Sequence, residues 1–101
     1  MDNELTAIEY KDKDGNVLRH EIPAVFVAIG QVPDNKAFAN LVDLDDMGYI
    51  IADETCKTKT EGLFVAGDCR TKAVRQVVTA VSDGGIASTN ACLYIESLDA
   101  E

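Results

Sequence analysis

The 101-residue sequence has little that would place it in a membrane or in the secretory pathway. Its longest uninterrupted apolar run, Ala24 to Gly30, has seven residues, whereas a membrane-spanning helix needs roughly 20. Met1 is not followed by a basic and then apolar leader, so no secretory signal is predicted. We therefore expect a soluble, cytoplasmic protein with no membrane partner.

Basic residues are scarce, and the formal net charge is -9. A chain with this balance repels nucleic acid, which we exclude as a partner. The few cations are nevertheless clustered: between Lys57 and Arg75 five basic residues accompany two acidic ones, whereas the remainder has four basic and sixteen acidic residues. This positive stretch reflects either ordinary surface composition or a local site.

Cysteine and histidine are too few and too scattered for a metal or redox centre. Cys56, Cys69 and Cys92 contain no CxxC pair, and the single histidine, His20, has no cysteine nearby. We expect no metal site, three free thiols that behave mainly as small buried hydrophobes, and a histidine packed in the core. No catalytic residue is predicted.

Apolar residues make up 47% of the sequence and charged residues 27%, which is typical of an ordered globular chain of one domain at most. Residues 4 to 30 predict a three-stranded antiparallel meander with a turn at Gly15. Its third strand, Ala24 to Gly30, is apolar on both faces, so we expect it to be buried inside a sheet.

The remaining chain predicts a helical turn at Lys36 to Leu41, short strands at Tyr49 to Ala52 and Leu63 to Ala66, and a long helix from about Ala73 to Leu98. Small and apolar residues recur along the helix at spacings of three and four and predict its buried stripe: Val77, Val81, Gly84, Ser88, Ala91, Ile95 and Leu98. The adjacent glycines Gly84 and Gly85 indicate that another element approaches the helix closely.

The segment with the clearest chemical use runs from Gly62 to Asp68 and leads through a loop to the helix. Gly67 would let a ligand approach the backbone at the end of a strand, where open α/β sheets bind ligands. Asp68 would accept a hydrogen bond from a sugar-like hydroxyl, and the helix start offers free N–H groups to an anionic ring edge. A Gly-Asp turn is also common where the aspartate merely caps a loop.

The longer pattern around this turn is distinctive. Leu63 to Cys69, followed by Arg75 to Ala80, closely resembles the second flavin motif of thioredoxin reductases. Val25 to Gly30 with Pro33-Asp34 resembles the strand that links the NADPH domain of that family back to its FAD domain. Two intervening segments fit the same family pattern: Gly48-Tyr49-Ile50 and Thr58 to Thr60.

The resemblance to low-molecular-weight thioredoxin reductases covers nearly the whole chain, from about Leu5 to Leu98. It implies an α/β fold that is an incomplete FAD/NAD(P)-binding Rossmann-like domain, with an N-terminal antiparallel meander and one long C-terminal helix. Residues 1–24 would be the closing strands of the NADPH-binding domain. Residues 25–101 would be the C-terminal part of the FAD-binding domain.

By the same resemblance, the complete enzyme would use FAD and NADPH and reduce a thioredoxin-like disulfide protein. Asp68 would hydrogen-bond the ribityl chain or the pyrophosphate region of FAD. The helix start would lie along the isoalloxazine ring, with a backbone N–H near Gln76 or Val77 at its pyrimidine end. The full set of cofactor-binding residues that the resemblance implies is Gly67, Asp68, Arg75, Gln76, Val77, Ala80, Ile29 and Gly30.

The sequence departs from the family in three ways. It has no GxGxxG fingerprint for FAD, none for NADPH and no redox-active CxxC. We therefore expect the C-terminal portion of a reductase, with no activity of its own, that associates with the rest of the enzyme.

Two alternatives remain open. One is a stand-alone interaction module of the same ancestry, which pairs with a partner or with itself as a homodimer through uncovered strand edges and apolar faces. The other is a fragment of a different pyridine nucleotide-disulfide reductase, such as a ferredoxin–NADP or alkyl-hydroperoxide-type enzyme. The pair Arg75-Gln76 favours the thioredoxin reductase branch.

Overall fold

The computed structural model describes residues 4–100, which divide after Gly30 into two compact units. The first contains strands β1 (Ala7–Lys11) and β2 (Val17–Glu21). The second contains a 3-10 turn (Lys36–Phe38) and helix α1 (Val77–Asp99). Among the described residues no helix is both long enough and apolar enough to cross a membrane.

The first unit is an antiparallel hairpin in which Ala7 pairs with Glu21 and Lys11 with Val17. The predicted turn at Gly15 is confirmed, since this glycine has a φ of 86°. Asp12 holds the turn because its Oδ1 accepts the N–H groups of Asp14 and Asn16, both at 2.9 Å. Such a side-chain bond to the following backbone is the usual contribution of aspartate to a turn.

His20 does not lie in a core, contrary to expectation. It is exposed on β2, where its ring stacks on Tyr10 with centroids 5.7 Å apart and its Nε2 lies 3.1 Å from the Tyr10 hydroxyl. The register partner of His20 is Ile8, and Tyr10 is its diagonal neighbour on the other strand. A two-stranded hairpin by itself buries little of either face, which fits the exposure of the histidine.

The predicted third strand is also wrong. Residues 24–30 form no strand in the described part of the chain, and their apolar side chains are open: Phe26 is 97% exposed and Ile29 is 91% exposed. A strand that is apolar on both faces requires hydrogen-bonding neighbours and cover on each side. Residues 4–100 supply neither to this segment.

The core of the second unit is small. Val42, Ile50 and Val65 are buried, and partly buried apolar side chains pack around them: Leu44, Ala52, Leu63 and Cys69. The two predicted short strands shrink to isolated bridges, in which Ile50 pairs with Leu44 and with Arg70, and Phe64 pairs with Lys57. The bridge between Ile50 and Arg70 consists of two backbone hydrogen bonds, from Ile50 N–H to the Cys69 carbonyl and from Thr71 N–H to the Ile50 carbonyl, both at 2.9 Å.

Helix α1 begins at Val77, four residues later than the earliest predicted start. Gln76 has an extended backbone and donates its N–H to Thr79 Oγ1 at 3.0 Å. This capping arrangement satisfies one of the amide groups that a helix start leaves without a partner. The residues before it are consequently held as a loop.

Six of the seven residues in the predicted buried stripe of α1 are exposed, and the seventh, Ala91, is partly buried. Val77 is 81% exposed, Val81 69% and Ile95 58%, whereas the helix packs on its own chain through a neighbouring face of mixed polarity that carries Ala80, Asp83, Ala87, Asn90 and Tyr94. No heavy atom of the described residues lies within 4 Å of a Cβ placed on Gly84 or Gly85, outside their own helical surroundings. The close approach predicted at these glycines is therefore not found there.

A buried ion cluster explains why α1 packs on this face. Asp83 is 2% exposed and Arg70 1%, and the Arg70 guanidinium binds both oxygens of the Asp83 carboxylate, at 2.6 and 2.7 Å. Lys72 adds its ammonium at 2.8 Å, and exposed Glu54 binds Arg70 from outside at 3.2 Å. Asp83 thereby joins the packed side of the helix to the loop that carries Arg70 and Lys72.

We predict that Asp83→Asn lowers the free energy of unfolding by about 3–5 kcal/mol, because it leaves two buried cations without their anion. Urea unfolding followed by circular dichroism measures this change. The matched control is Glu54→Gln, which removes an exposed partner of Arg70 and should cost about 1 kcal/mol or less. Equal and small losses in both variants would show that the cluster does not hold the helix.

We also predict that stability falls in acid. The hydrogen bonds from Arg70 hold the pKa of the Asp83 carboxyl well below its usual range, against the effect of burial. An aspartate in the unfolded chain titrates near pH 3.9, so the unfolded state binds its proton first as the pH falls. The contribution of Asp83 is therefore complete above about pH 5 and is lost progressively below about pH 4. Urea midpoints across this range should decline more in the wild type than in Asp83→Asn.

Candidate functional site

The Gly67–Asp68 turn lies where the segment 63–66 ends and faces the first turn of α1. Gly67 has a φ of 93°, a region that residues with a side chain adopt at a cost. A Cβ placed on it would lie 3.9 Å from Ala80 Cβ, an ordinary contact. The backbone conformation, rather than a lack of space, therefore explains the glycine.

Asp68 carries the one buried side-chain oxygen that has no hydrogen-bond partner within residues 4–100, its Oδ1. Buried carboxylate oxygens are normally satisfied, so this atom is suited to a donor from a ligand. Asp68 also lines a cavity of about 140 Å³, together with Gln31, Val32, Pro33, Tyr49 and Cys69. This volume admits a small polar part of a ligand rather than a whole ring system.

Arg75 closes the loop that follows the turn. Its Nε donates to the Asp68 carbonyl and its Nη2 to the Arg70 carbonyl, both at 3.1 Å, while its Cζ lies 3.7 Å from the centre of the Tyr49 ring. The guanidinium is thus committed to the backbone carbonyls and to a cation–π contact. Its position fixes the distance between Asp68 and the helix start.

Gln76, Val77 and Ala80 occupy the beginning of α1. The Gln76 N–H is bound to Thr79 Oγ1, and the Ala80 N–H is bound to the Gln76 carbonyl at 3.0 Å. Val77 belongs to the first helical turn, where N–H groups have no acceptor within the helix. Of the two amides suggested by the sequence, that of Val77 is the better placed to meet a ligand.

The structure thus brings Gly67, Asp68, Arg75 and Ala80 together with the helix start. Ile29 and Gly30 belong to the first unit and are described separately. Ile29 is exposed, and Gly30 has a φ of 90° with no heavy atom within 4 Å of a Cβ placed on it.

Sequence reasoning missed the residues that hold this turn in place. Asp83 Oδ2 accepts the Gly67 N–H at 2.9 Å in addition to its bonds with Arg70 and Lys72. An aspartate on an otherwise apolar and small helix pattern is commonly a solvent-facing residue, so the pattern alone did not reveal its burial. The signal available was the concentration of cations between Lys57 and Arg75, which includes both of its partners.

Of the three cysteines, Cys56 is fully buried, as expected for a small hydrophobic residue, whereas Cys92 is exposed. The Cys56 thiol lies 3.6 Å from the Asp83 carbonyl, and burial raises its pKa, with the charge of Asp83 acting in the same direction. A thiol with a raised pKa is a weak nucleophile at neutral pH. Within residues 4–100 no three potential ligands are grouped to hold a metal ion.

Comparisons with known proteins agree with the sequence resemblance. The family model of the pyridine nucleotide-disulphide oxidoreductases matches residues 1–84. A thioredoxin reductase of Listeria monocytogenes is 48% identical over 85 residues, which are 84% of this chain and 27% of that protein. One from Peptoclostridium acidaminophilum is 52% identical over 73 residues, covering 72% of this chain and 23% of that protein.

Solved structures give the same result. The chain superposes on a thioredoxin reductase from Streptococcus pyogenes MGAS5005 with a TM-score of 0.67 and 35% identity, over 93% of this chain and 31% of that chain. For the Lactococcus lactis enzyme the TM-score is 0.70 at 32% identity, over 91% and 31%. The chain spans about a quarter of the length of the curated relatives and shares the Rossmann-like fold of their family over that part. It therefore belongs to the pyridine nucleotide-disulphide oxidoreductase family and resembles the thioredoxin reductases within it.

Proposed function

We propose that this chain is the C-terminal portion of a flavin-dependent NADPH:thioredoxin-disulfide reductase and supplies the second FAD-binding motif. The observation that carries the proposal is the buried, unpartnered Oδ1 of Asp68 beside a small cavity and close to a helix start. The thioredoxin reductase relatives support the same assignment.

The chemistry of Asp68 favours one part of FAD. An ionised carboxylate accepts hydrogen bonds and donates none. A ribityl hydroxyl can donate to Oδ1, whereas an ionised pyrophosphate oxygen cannot. We therefore assign Asp68 to the ribityl chain, with Gly67 allowing the close approach of the ligand to the backbone.

The start of α1 suits the isoalloxazine ring. Its positive dipole end and the free amide of Val77 would face the pyrimidine edge, where negative charge collects on reduction. Gln76 and Ala80 would line the ring. Arg75, whose guanidinium already binds the loop, would contribute its backbone and aliphatic stem.

The remaining assignments follow the family pattern. Residues 1–24 would close the NADPH-binding domain and residues 25–101 would belong to the FAD-binding domain. Ile29 and Gly30 would lie close to the flavin or to the incoming nicotinamide. FAD, when bound, passes electrons from NADPH to a disulfide, and a thioredoxin-like protein in the cytoplasm would be the final acceptor.

We expect the chain by itself to reduce no disulfide. The sequence contains no CxxC and no GxGxxG. A binding site for FAD also needs the helix start that follows such a fingerprint, because that start holds the pyrophosphate. The rest of the reductase would have to supply both parts.

A second candidate, a self-associating module, is favoured by the exposed apolar surfaces. Phe26, Val27 and Ile29 are 75–97% exposed, and the stripe of α1 is open as well. Surfaces of this kind are commonly covered by a partner or by a second copy of the chain. The thioredoxin reductase relatives make another pyridine nucleotide-disulfide reductase the less favoured assignment.

The FAD proposal is tested with a hybrid protein, in which this chain replaces the matching segment of the Listeria thioredoxin reductase. We predict that the hybrid retains FAD after desalting, whereas the isolated chain does not. In the hybrid, Asp68→Ala should weaken FAD binding about tenfold or more, because a hydrogen bond to a charged group contributes about 1.5–3 kcal/mol. Flavin fluorescence titration measures the affinity.

Asp46→Asn is the control, since it removes an exposed carboxylate elsewhere in the same unit. It should leave FAD affinity unchanged. A folded hybrid that holds no flavin, or equal losses in both variants, would contradict the assignment of Asp68.

We further predict that the isolated chain self-associates as a homodimer and that Phe26→Ser shifts it towards the monomer. Sedimentation velocity at several concentrations measures the distribution. Met47→Ser removes another exposed apolar side chain, one outside residues 24–30, and should change the distribution little. A monomer at every concentration would rule out the self-associating module.

A further inference from the structure

The Asp83 carboxylate joins three parts of the second unit. Its Oδ2 accepts the Gly67 N–H at 2.9 Å, Arg70 Nε at 2.6 Å and Lys72 Nζ at 2.8 Å, and its Oδ1 accepts Arg70 Nη2 at 2.7 Å. All of this is buried, since the side chains of Arg70, Lys72 and Asp83 are 1–5% exposed. The carboxylate thus accepts four hydrogen bonds, three of them at Oδ2.

One of these four hydrogen bonds, that from the Gly67 N–H, binds a backbone group rather than a side chain. Gly67 has a φ of 93° and no side chain, so it can contribute to the orientation of the turn only through the hydrogen bonds of its backbone. Asp83 accepts the N–H of Gly67, one residue before Asp68, and Arg75 donates to the Asp68 carbonyl at 3.1 Å. Asp68, whose Oδ1 has no partner, is thus held by a hydrogen bond to the residue before it and by one to its own carbonyl.

We propose that Asp83 is a positioning residue for the ligand site: by holding the Gly67 amide it orients the Gly67–Asp68 turn, so that the Asp68 carboxylate meets the ligand hydroxyl. Arg70 and Lys72 keep the Asp83 carboxylate in place for this bond. The identity of the ligand rests on the proposed function, whereas the orientation of the turn does not.

Fold stability alone would not require these charges. Removing ions from water is costly, and buried ion clusters in other proteins have been replaced by apolar residues without loss of stability. Apolar residues could hold α1 against the loop by packing, but none could accept the Gly67 N–H. A buried carboxylate offers an acceptor that forms a short, charge-assisted hydrogen bond with a backbone N–H.

Replacing the whole ion cluster by apolar residues distinguishes a positioning role of Asp83 from a purely structural one. In the variant Arg70→Met/Lys72→Met/Asp83→Leu all three charges are replaced together, so that no buried ion is left unpaired. We expect α1 to remain protected from amide hydrogen exchange in the 101-residue chain, while the Gly67 amide exchanges about tenfold faster or more. NMR of the labelled chain measures both. Glu54→Gln, which removes only the exposed partner of Arg70, should leave the Gly67 rate unchanged.

A second measurement needs no variant. A scalar coupling across the hydrogen bond between the Gly67 nitrogen and the Asp83 carboxyl carbon should be detectable in the wild-type chain. Its absence would overturn the proposal. So would wild-type protection of Gly67 in the triple variant, or an equal loss of protection at Gly67 and throughout α1. A hybrid reductase without flavin would instead refute the proposed function and leave the Gly67 results standing.

Discussion

The carboxylate of Asp83 is the point at which the end of one chain segment, the loop that follows it and the long helix are joined. The hydrophobic core beside it is small: among residues 4–100 the buried apolar side chains are Val42, Ile50, Cys56 and Val65. Such a core orders its own loops but offers α1 little apolar contact area. A few strong, directional bonds join the helix to the loop in addition to these contacts.

Burying the charges of Arg70, Lys72 and Asp83 costs desolvation free energy, and neighbouring groups reduce this cost. Two buried cations meet one buried anion, and the imbalance is eased by Glu54 at the surface and by the carbonyls of Thr71 and Thr79, which accept bonds from Arg70 and Lys72. Buried ions are tolerated when their remaining donors are also satisfied. Four of the five N–H donors of Arg70 are bound, and Lys72 has two acceptors.

Local signals in the sequence were sufficient for the turn at Gly15, the helical turn at Lys36 and the existence of the long helix. The motif around Gly67 and Asp68 was also evident, because glycine and aspartate have strong local preferences after a strand. Patterns failed where the outcome depends on contacts distant in sequence. The apolar pattern of residues 24–30 and that of the α1 stripe each mark a surface that is suited to burial. The pattern does not tell which other segment covers that surface.

Burial of charge was the second kind of information that the sequence did not provide. The pairing of Asp83 with Arg70 spans 13 positions and crosses from a helix to a loop, so no helical periodicity records it. A polar residue on the packed face of a helix is indistinguishable from a solvent-exposed one until its partner is located. The helix was therefore predicted in the right part of the chain but with the wrong face turned inward.

The attachment of α1 through ions also affects how the unit responds to heat. Hydrophobic stabilisation per unit of buried area levels off as the temperature rises, whereas the desolvation penalty of ion pairs becomes smaller. A helix anchored by Asp83, Arg70 and Lys72 thus keeps its attachment on warming better than one held by a similarly small apolar contact. Heating should loosen the small hydrophobic core before it loosens the junction between the helix and the Gly67–Asp68 turn.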